Sequence, residues 1–405
     1  MRFCMVTTFY PPYHFGGDAI FVQTLARALI SEGHHVEVVH CENAYRLRGR
    51  EQAEMQVEQD GVVVHRLRNP GGMLSPLITH QIGKPGVKAL QLRTLLDREF
   101  DVVNFHNISL IGGPGVLQLS RAPVTLYTLH EHWLLCSMHI FWKNNRMACD
   151  SPQCIRCSLL SGIPPQFWRY TTLIERSLAH VDALLSPSEY TAERHKAIGH
   201  HPPIHVLPTF SRLEPVLNGK ASPQERPYFL FVGRVTASKG IAILLEEFAN
   251  LREYDLLVVG DGDLLPTIQV QYAVHRHIQF LGPLAQDQLG SLYRNATALV
   301  LPSLAPEVFP LTVLEAMAYG TPAIVHNAGG SREAVDKTGG GLVYDSLHEL
   351  HQALTRLAKN PTFRETLGQR ARAGYTQFYS QEIYMIRYLS LIRAIGKKNG
   401  VPLHE

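Results

Sequence analysis

The sequence predicts an α/β protein made of two doubly wound, Rossmann-like domains that face a central cleft. Three observations carry this prediction. Strand-length apolar runs alternate with amphipathic helical stretches from end to end. A proline-rich polar segment breaks that rhythm once, near the middle. Beyond it the same alternation starts again. Such alternation builds a mostly parallel sheet with helices on both faces. The chain has 405 residues, 45% hydrophobic and 18% charged, which is ordinary globular material and enough for two separate cores.

The elements follow in order. Residues 2–7 read as a first strand. Residues 17–31 read as a helix, with Val22, Leu25, Ala26 and Leu29 at helical spacing. Gly33 follows where a left-handed helix cap is wanted. Further strands are expected at 35–39, 62–68, 101–106, 124–130 and 182–186. The segment 200–227 holds Pro202, Pro203, Pro208, Pro215, Pro223 and Pro227 and reads as an interdomain linker. After it, strands are expected at 228–235, 255–260, 278–282, 298–302, 323–326 and 341–344, with helices running on from about 346. The predicted division is an N-terminal domain over 1–209 and a C-terminal domain over 210–378. A cysteine-rich insertion over 133–165 belongs to the first, which a last helix over 379–405 rejoins. Ligands of such folds sit at the carboxyl ends of the strands.

The net charge of +3 does not point to nucleic acid. Loops around Arg46, Arg48 and Arg50, and around Lys84 and Lys88, could form a local basic patch against anionic lipid. Solvated surface charge is the plainer reading. No apolar run reaches the length of about eighteen residues that spans a bilayer. The first residues lack the apolar core and cleavage site of a signal peptide. A cytosolic protein is therefore expected, with peripheral contact at the inner face of the cell membrane as a further expectation.

Four segments carry chemistry. The strongest is 307–322. Pro310 suits the first turn of a helix, which puts Glu307 in the preceding loop and Glu315 about a turn inside. Backbone N–H groups near Phe309, Pro310, Leu311 and Thr312 would then be placed to hold a phosphate. One carboxylate could reach a sugar hydroxyl and the other a ribose diol. The second segment is 231–240, where Arg234 lies just past a strand and Lys239 opens the next helix. Two cations there could neutralise a diphosphate leaving group. The third is Gly16-Gly17 before a helix, where the backbone could approach a ligand closely. The fourth is His130, at the end of a strand. It could bond a transferred sugar or serve the core, and His106 is a weaker case of the same kind.

Together these segments resemble family 4 of the glycosyltransferases, the large retaining group with the GT-B fold. The resemblance covers nearly the whole chain and is most specific over 228–345. Gly233-Arg234, Lys239-Gly240, Gly260-Asp261-Gly262, Pro302-Ser303, the Glu307 to Glu315 spacing, Gly320-Thr321-Pro322 and Gly329-Gly330 stand there in the family's order. It implies that Arg234 and Lys239 bind the donor diphosphate, Glu307 the donor sugar and Glu315 the ribose. It implies contacts from the backbone of Phe309, Pro310 and Leu311, from Gly17 to the diphosphate, and from His130 to the sugar. It implies no catalytic metal. A UDP-sugar donor is favoured, with a glycan, glycolipid or small-molecule acceptor. One departure is Ser331-Arg332-Glu333, where the family often has Pro-Glu, and Glu333 is given no role.

Cys136, Cys149, Cys154 and Cys157 cluster after His130. A cytosolic setting favours metal over disulfides, and the final Cys-x2-Cys suits a closed structural zinc site. His132, His139 or His14 could replace one thiolate. An iron–sulfur cluster or packed thiols are the alternatives, and Cys4 and Cys41 read as buried apolar residues. Against the transferase stand an epimerase or other enzyme of the same fold, and a non-catalytic nucleotide-sugar-binding protein. A Rossmann dehydrogenase lacks its Gly-x-Gly-x-x-Gly after the first strand.

Overall fold

The computed structural model describes residues 1–47, 61–69, 71–211 and 226–403. The chain divides into two compact units. One comprises Met1–His139, Gln153–Thr209 and Gln381–Glu405, the other Ile140–Pro152 and Phe210–Ser380. The helix expected over 379–405 thus falls with the first unit. The middle of the cysteine-rich segment, read as part of the first domain, groups with the second.

The sheet of the first unit is wholly parallel. Its strands are β1 (Arg2–Val6), β2 (His35–Cys41), β3 (Val63–Leu67), β4 (Val102–Phe105) and β5 (Val124–Thr128). Beyond the short hairpin of β6 (Trp142–Lys143) and β7 (Met147–Ala148) come β8 (Ala183–Ser186) and β9 (Ile204–Val206). The order is β3-β2-β1-β4-β5-β8-β9. β1 pairs with β2 on one side and β4 on the other, so the chain reverses its direction of winding there. Phe3 to Val6 are buried, as a strand covered on both faces requires. Helix Gly17–Ser31 covers one face with Phe21, Val22, Leu25 and Leu29. The last helix, Gln381–Lys398, packs on the same unit: the Asn104 side-chain amide donates to the Tyr388 hydroxyl at 3.0 Å, and Tyr384 meets Phe21 edge-on.

Two sequence readings need correction here. The segment read as linker contains β9, the edge strand of the sheet. Pro202 and Pro203 stand just before it and Pro208 just after, positions that an edge strand tolerates. Pro215 and Pro223 lie outside the described residues. The proposed basic patch also changes. Lys88 is wholly buried, its ammonium held by Ser75, Thr79 and the Leu110 carbonyl. Arg46 pairs with Glu42 at 2.6 Å, and Arg48 and Arg50 lie outside the described residues.

The second unit repeats the plan. Its parallel sheet holds β10 (Tyr228–Val232), β11 (Asp255–Val259), β12 (Ile278–Gly282), β13 (Ala298–Leu301), β14 (Ala323–His326) and β15 (Gly341–Tyr344). The order is β12-β11-β10-β13-β14-β15, with the reversal between β10 and β13. Leu230, Leu257 and Leu299 meet Val313, Leu314 and Met317 of helix Leu311–Ala318 on one face. Leu244, Leu245 and Phe248 of helix Ile241–Asn250 cover the other.

Candidate functional site

Each sheet has one point where strand order reverses, and there two loops leave neighbouring strands in opposite directions and open a crevice. In the second unit the flanking strands are β10 and β13. Gly233-Arg234 follows β10, and Pro302-Ser303 follows β13. Gly240 locks the two loops together. A Cβ on it would lie 1.9 Å from the Pro302 carbonyl oxygen, and its φ is +68°, so only glycine fits. Lys239, the residue before it, is thereby carried against the end of β13. It closes the 3-10 turn Ala237–Lys239 rather than opening helix Ile241–Asn250.

Glu307 stands in the loop before helix Leu311–Ala318, with Pro310 at the helix cap and Glu315 on the helix. Its backbone is held on both sides: its N–H donates to Ala328 O at 3.2 Å, and Gly330 N–H donates to its carbonyl at 2.7 Å. Gly329 at φ +70° makes that approach, since a Cβ there would meet Glu307 O at 2.3 Å. The Lys239 ammonium lies 2.6 Å from Glu307 Oε1, and the Ser303 hydroxyl donates to the same oxygen. Burial pushes this carboxyl up, but Lys239, Ser303 and the more distant Arg234 outweigh it and hold it below the ordinary range. Arg234 itself is exposed.

Glu315 lives differently. Burial raises its carboxyl to about 7, opposed by the Tyr293 hydroxyl, which donates to Oε2 at 2.7 Å. No cation among the described residues pairs with it. The two glutamates therefore sit eight positions apart with opposite electrostatics, one held ionised and one poised near neutrality. The first N–H groups of helix Leu311–Ala318 have no partner within the helix, and they open beside Glu307.

In the first unit the reversal lies between β1 and β4. Gly16 caps helix Gly17–Ser31 in extended backbone, with no side-chain cap. His106 follows β4 and His130 follows β5. The two imidazoles stack, and Nδ1 of His106 lies 2.8 Å from Nε2 of His130. Burial drives His106 well below the usual histidine range, and drives His130 to about 4 against the pull of Asp18. Both rings are therefore neutral near pH 7, and one shared proton links them. His106 Nε2 is buried without a partner, so the pair is fixed from one side only. Asp18 accepts from the Asn107 amide at 3.1 Å at the same strand ends. Sequence reasoning rated His106 the weaker histidine and gave no role to Ser303, Tyr293 or Asp18. No spacing rule links His106 to His130, because neighbouring parallel strands bring together residues far apart in sequence.

The cysteine set is not gathered into a metal site. No group of three or more His, Cys, Asp or Glu among the described residues is placed to hold an ion. The zinc reading for Cys136, Cys149, Cys154 and Cys157 therefore finds no support in the structure. Cys154 and Cys157 start the short helix Cys154–Leu160. Cys149 belongs to the segment of the hairpin, where its Sγ turns to Ser151 O. Arg169 lies over the rings of both Trp133 and Trp168, within electrostatic reach of Cys136 and Cys154.

The two wholly parallel sheets, each with candidate site residues at its reversal, match the GT-B fold. The model for glycosyl transferases group 1 matches residues 217–374, and that for glycosyltransferase family 4 matches residues 15–214. The chain belongs to family 4 of the glycosyltransferases. It is 27% identical to an uncharacterised glycosyltransferase of Methanocaldococcus jannaschii, over 94% of this chain and 95% of that one. Its fold is that of the sucrose-phosphate synthase of Thermosynechococcus elongatus, with a TM-score of 0.75, 20% identity and coverage of 98% and 99%. HepE of Anabaena matches in its complex with UDP (TM-score 0.66, 18% identity, coverage 96% and 99%). It matches also in its complex with UDP-glucose (TM-score 0.64, 16% identity, coverage 99% and 98%).

Proposed function

We propose that the chain transfers a hexose-type sugar from a nucleotide-sugar donor, UDP favoured, to an acceptor hydroxyl in glycan, polysaccharide or glycolipid biosynthesis, with retention at the anomeric carbon. The carrying observation is the Lys239–Glu307–Ser303 arrangement, fixed by Gly240 and Gly329 beside the open terminus of helix Leu311–Ala318. The UDP and UDP-glucose complexes of HepE support the choice of donor. Retention rests on family membership.

In this reading Lys239, Arg234 and the N–H groups at Phe309, Leu311 and Thr312 hold the diphosphate. Glu307 spends Oε1 on Lys239 and Ser303 and offers its other oxygen to a sugar hydroxyl. Glu315 accepts from the ribose diol. For the first unit, His130 bonds the transferred sugar and the terminus at Gly16-Gly17 meets phosphate. The C1–O bond to the diphosphate breaks while the acceptor oxygen bonds C1 from the same face. The acceptor proton passes to an oxygen of the leaving phosphate. Charge thus grows on the diphosphate, where Lys239 and Arg234 are the chain's own cations, and no divalent metal is written into the step.

The test is a donor panel. UDP-, GDP- and ADP-sugars are incubated with the protein and release of nucleotide is followed, beside Glu307→Ala. Slow hydrolysis of one donor, lost in the variant, is the expected result. Failure of every nucleotide-sugar to bind overturns the reading. Binding without turnover across a panel of acceptors assigns the chain to the non-catalytic alternative.

A further inference from the structure

Helix Leu74–Ile82 is amphipathic but turned inside out. Its polar side faces inward: Ser75 and Thr79 are buried, and both hydroxyls accept from the buried Lys88 ammonium, at 3.3 and 2.8 Å. The Leu110 carbonyl accepts from it as well, at 3.0 Å. The hydrogen bonds of Lys88 therefore anchor the helix by its polar face. The other side carries Leu74, Leu77, Ile78 and Ile82 at helical spacing, between 38% and 64% exposed. An ordinary surface helix buries its apolar stripe and shows its polar one.

The apolar surface continues on both flanks. Gly86 packs against Ile78, which brings the exposed Val87 alongside. On the other flank the Trp168 indole donates to His80 O at 2.9 Å, which seats the turn Phe167–Tyr170 beside the helix. Phe167 and Tyr170 of that turn point outward, each about two-thirds exposed. Scattered apolar residues on a surface are normal, but a contiguous patch of this kind marks an interaction face.

Charge selects the partner. Residues 61–96 and 151–174, the two stretches of sequence from which this face is drawn, contain no Asp or Glu. At the chain's mean of 35 acids in 405 residues, these 60 positions would carry about five (35 × 60/405). The cations Lys84, Arg93 and Arg156 within them are exposed. A second copy of the chain would fit poorly, since a two-fold contact sets like surfaces against each other and supplies no acid to pair with these cations.

We infer that this face docks the protein on an anionic lipid bilayer. Leu74, Leu77, Ile78, Ile82 and Phe167 enter the interfacial layer, and Lys84, Arg93 and Arg156 meet the headgroups. Among the described residues no helix is long and apolar enough to cross a membrane, so the contact is peripheral. Shallow insertion of an apolar helix face combined with basic residues is a sufficient basis for reversible binding.

The experiment is co-sedimentation of the full chain with vesicles of phosphatidylcholine alone or with about a third phosphatidylglycerol, at about 0.1 M and about 0.5 M salt. Anionic vesicles should bind at least about ten-fold more protein, and high salt should remove most of the difference. Leu74→Glu/Phe167→Glu should lose about ten-fold in binding with an unchanged Tm, because both side chains are about two-thirds exposed. Lys84→Glu/Arg93→Glu should lose anionic selectivity. No binding to either vesicle, or equal binding by the apolar variant, overturns the inference. So does a lipid-free dimer in sedimentation velocity that the apolar variant abolishes, which would assign the face to a second copy. Donor turnover is not needed for this readout, so its failure and that of the transferase reading are separable.

Discussion

The two sheets end in the same topology but in opposite electrostatics. At the reversal of the second sheet the structure assembles charge: an ammonium, a carboxylate held ionised and an exposed guanidinium. At the reversal of the first it sets two uncharged rings beside one acid, Asp18, and, among the described residues, no cation. Two stacked imidazoles share a proton, and burial keeps both uncharged. The transfer proposed above would use that difference. The breaking bond leaves negative charge on a diphosphate and positive charge on a sugar ring. Cations help the first and would repel the second, whereas a neutral imidazole can still donate a hydrogen bond.

The largest expected effect comes from breaking the charged end. Lys239→Ala leaves the Glu307 carboxyl buried without its cation. Stability should fall by about 2 kcal/mol, less than for a fully buried pair because both groups keep some solvent. Donor turnover should fall by about a thousand-fold. Adding Glu307→Gln should return most of the Tm, since the stranded charge is gone, but none of the turnover. If the double variant regained turnover, Lys239 would be a partner of Glu307 and not of the diphosphate. Calorimetry and nucleotide release on the same samples decide it.

The neutral end is tested by charge as well as by deletion. His130→Ala should lower transfer by about a hundred-fold. His130→Lys should be worse still, because it sets a cation where the sugar turns positive. A lysine variant more active than the alanine variant would end the case for neutrality. His106→Asn keeps a partner for the ring and should cost about ten-fold, in kcat more than in KM, because it acts only through the placement of His130. In the wild type burial holds His106 well below the usual histidine range and His130 at about 4, so the pair should give the activity profile no inflection between pH 6 and pH 8.

The contrast between the ends also explains what the sequence disclosed. The alternation of strands and helices is a local pattern, and it located nearly every strand of both sheets. The Glu307 to Glu315 spacing is local too, and a proline at the cap correctly placed one acid before the helix and one on it. β9 was lost because three residues among prolines carry too little periodicity to declare a strand. The His106–His130 contact joins positions 24 apart through strand pairing, and nothing in either neighbourhood signals it. Lys88 misled for a related reason. A lysine in a loop-like segment reads as surface charge, and its burial depends on Ser75 and Thr79 facing inward from a helix whose leucines face out. The cysteine spacing suggested a metal because spacing carries no information about which unit each thiol joins.

The finest comparison lies within the second unit, between its two glutamates. Glu307 is ionised at any physiological pH, but Glu315 changes state near pH 7, where its carboxyl has been pushed by burial. A ribose diol donates to a carboxylate better than to a protonated acid. UDP should therefore bind about five-fold more tightly at pH 8 than at pH 6 beyond any change in the phosphate itself, and Glu315→Gln should remove that excess. The same group sets a stability trend of opposite sign. Its folded value lies above the unfolded 4.5, so the folded protein holds the proton more tightly than the unfolded chain. Any stability from this group is present below pH 4.5 and is lost as pH rises through about 7. Relative to wild type, Glu315→Gln should thus gain Tm from pH 5 to about pH 7 and level off above it, while it loses the pH-dependent part of nucleotide affinity. A variant whose Tm difference did not move with pH would place Glu315 in water, and the ribose assignment would lose its electrostatic basis.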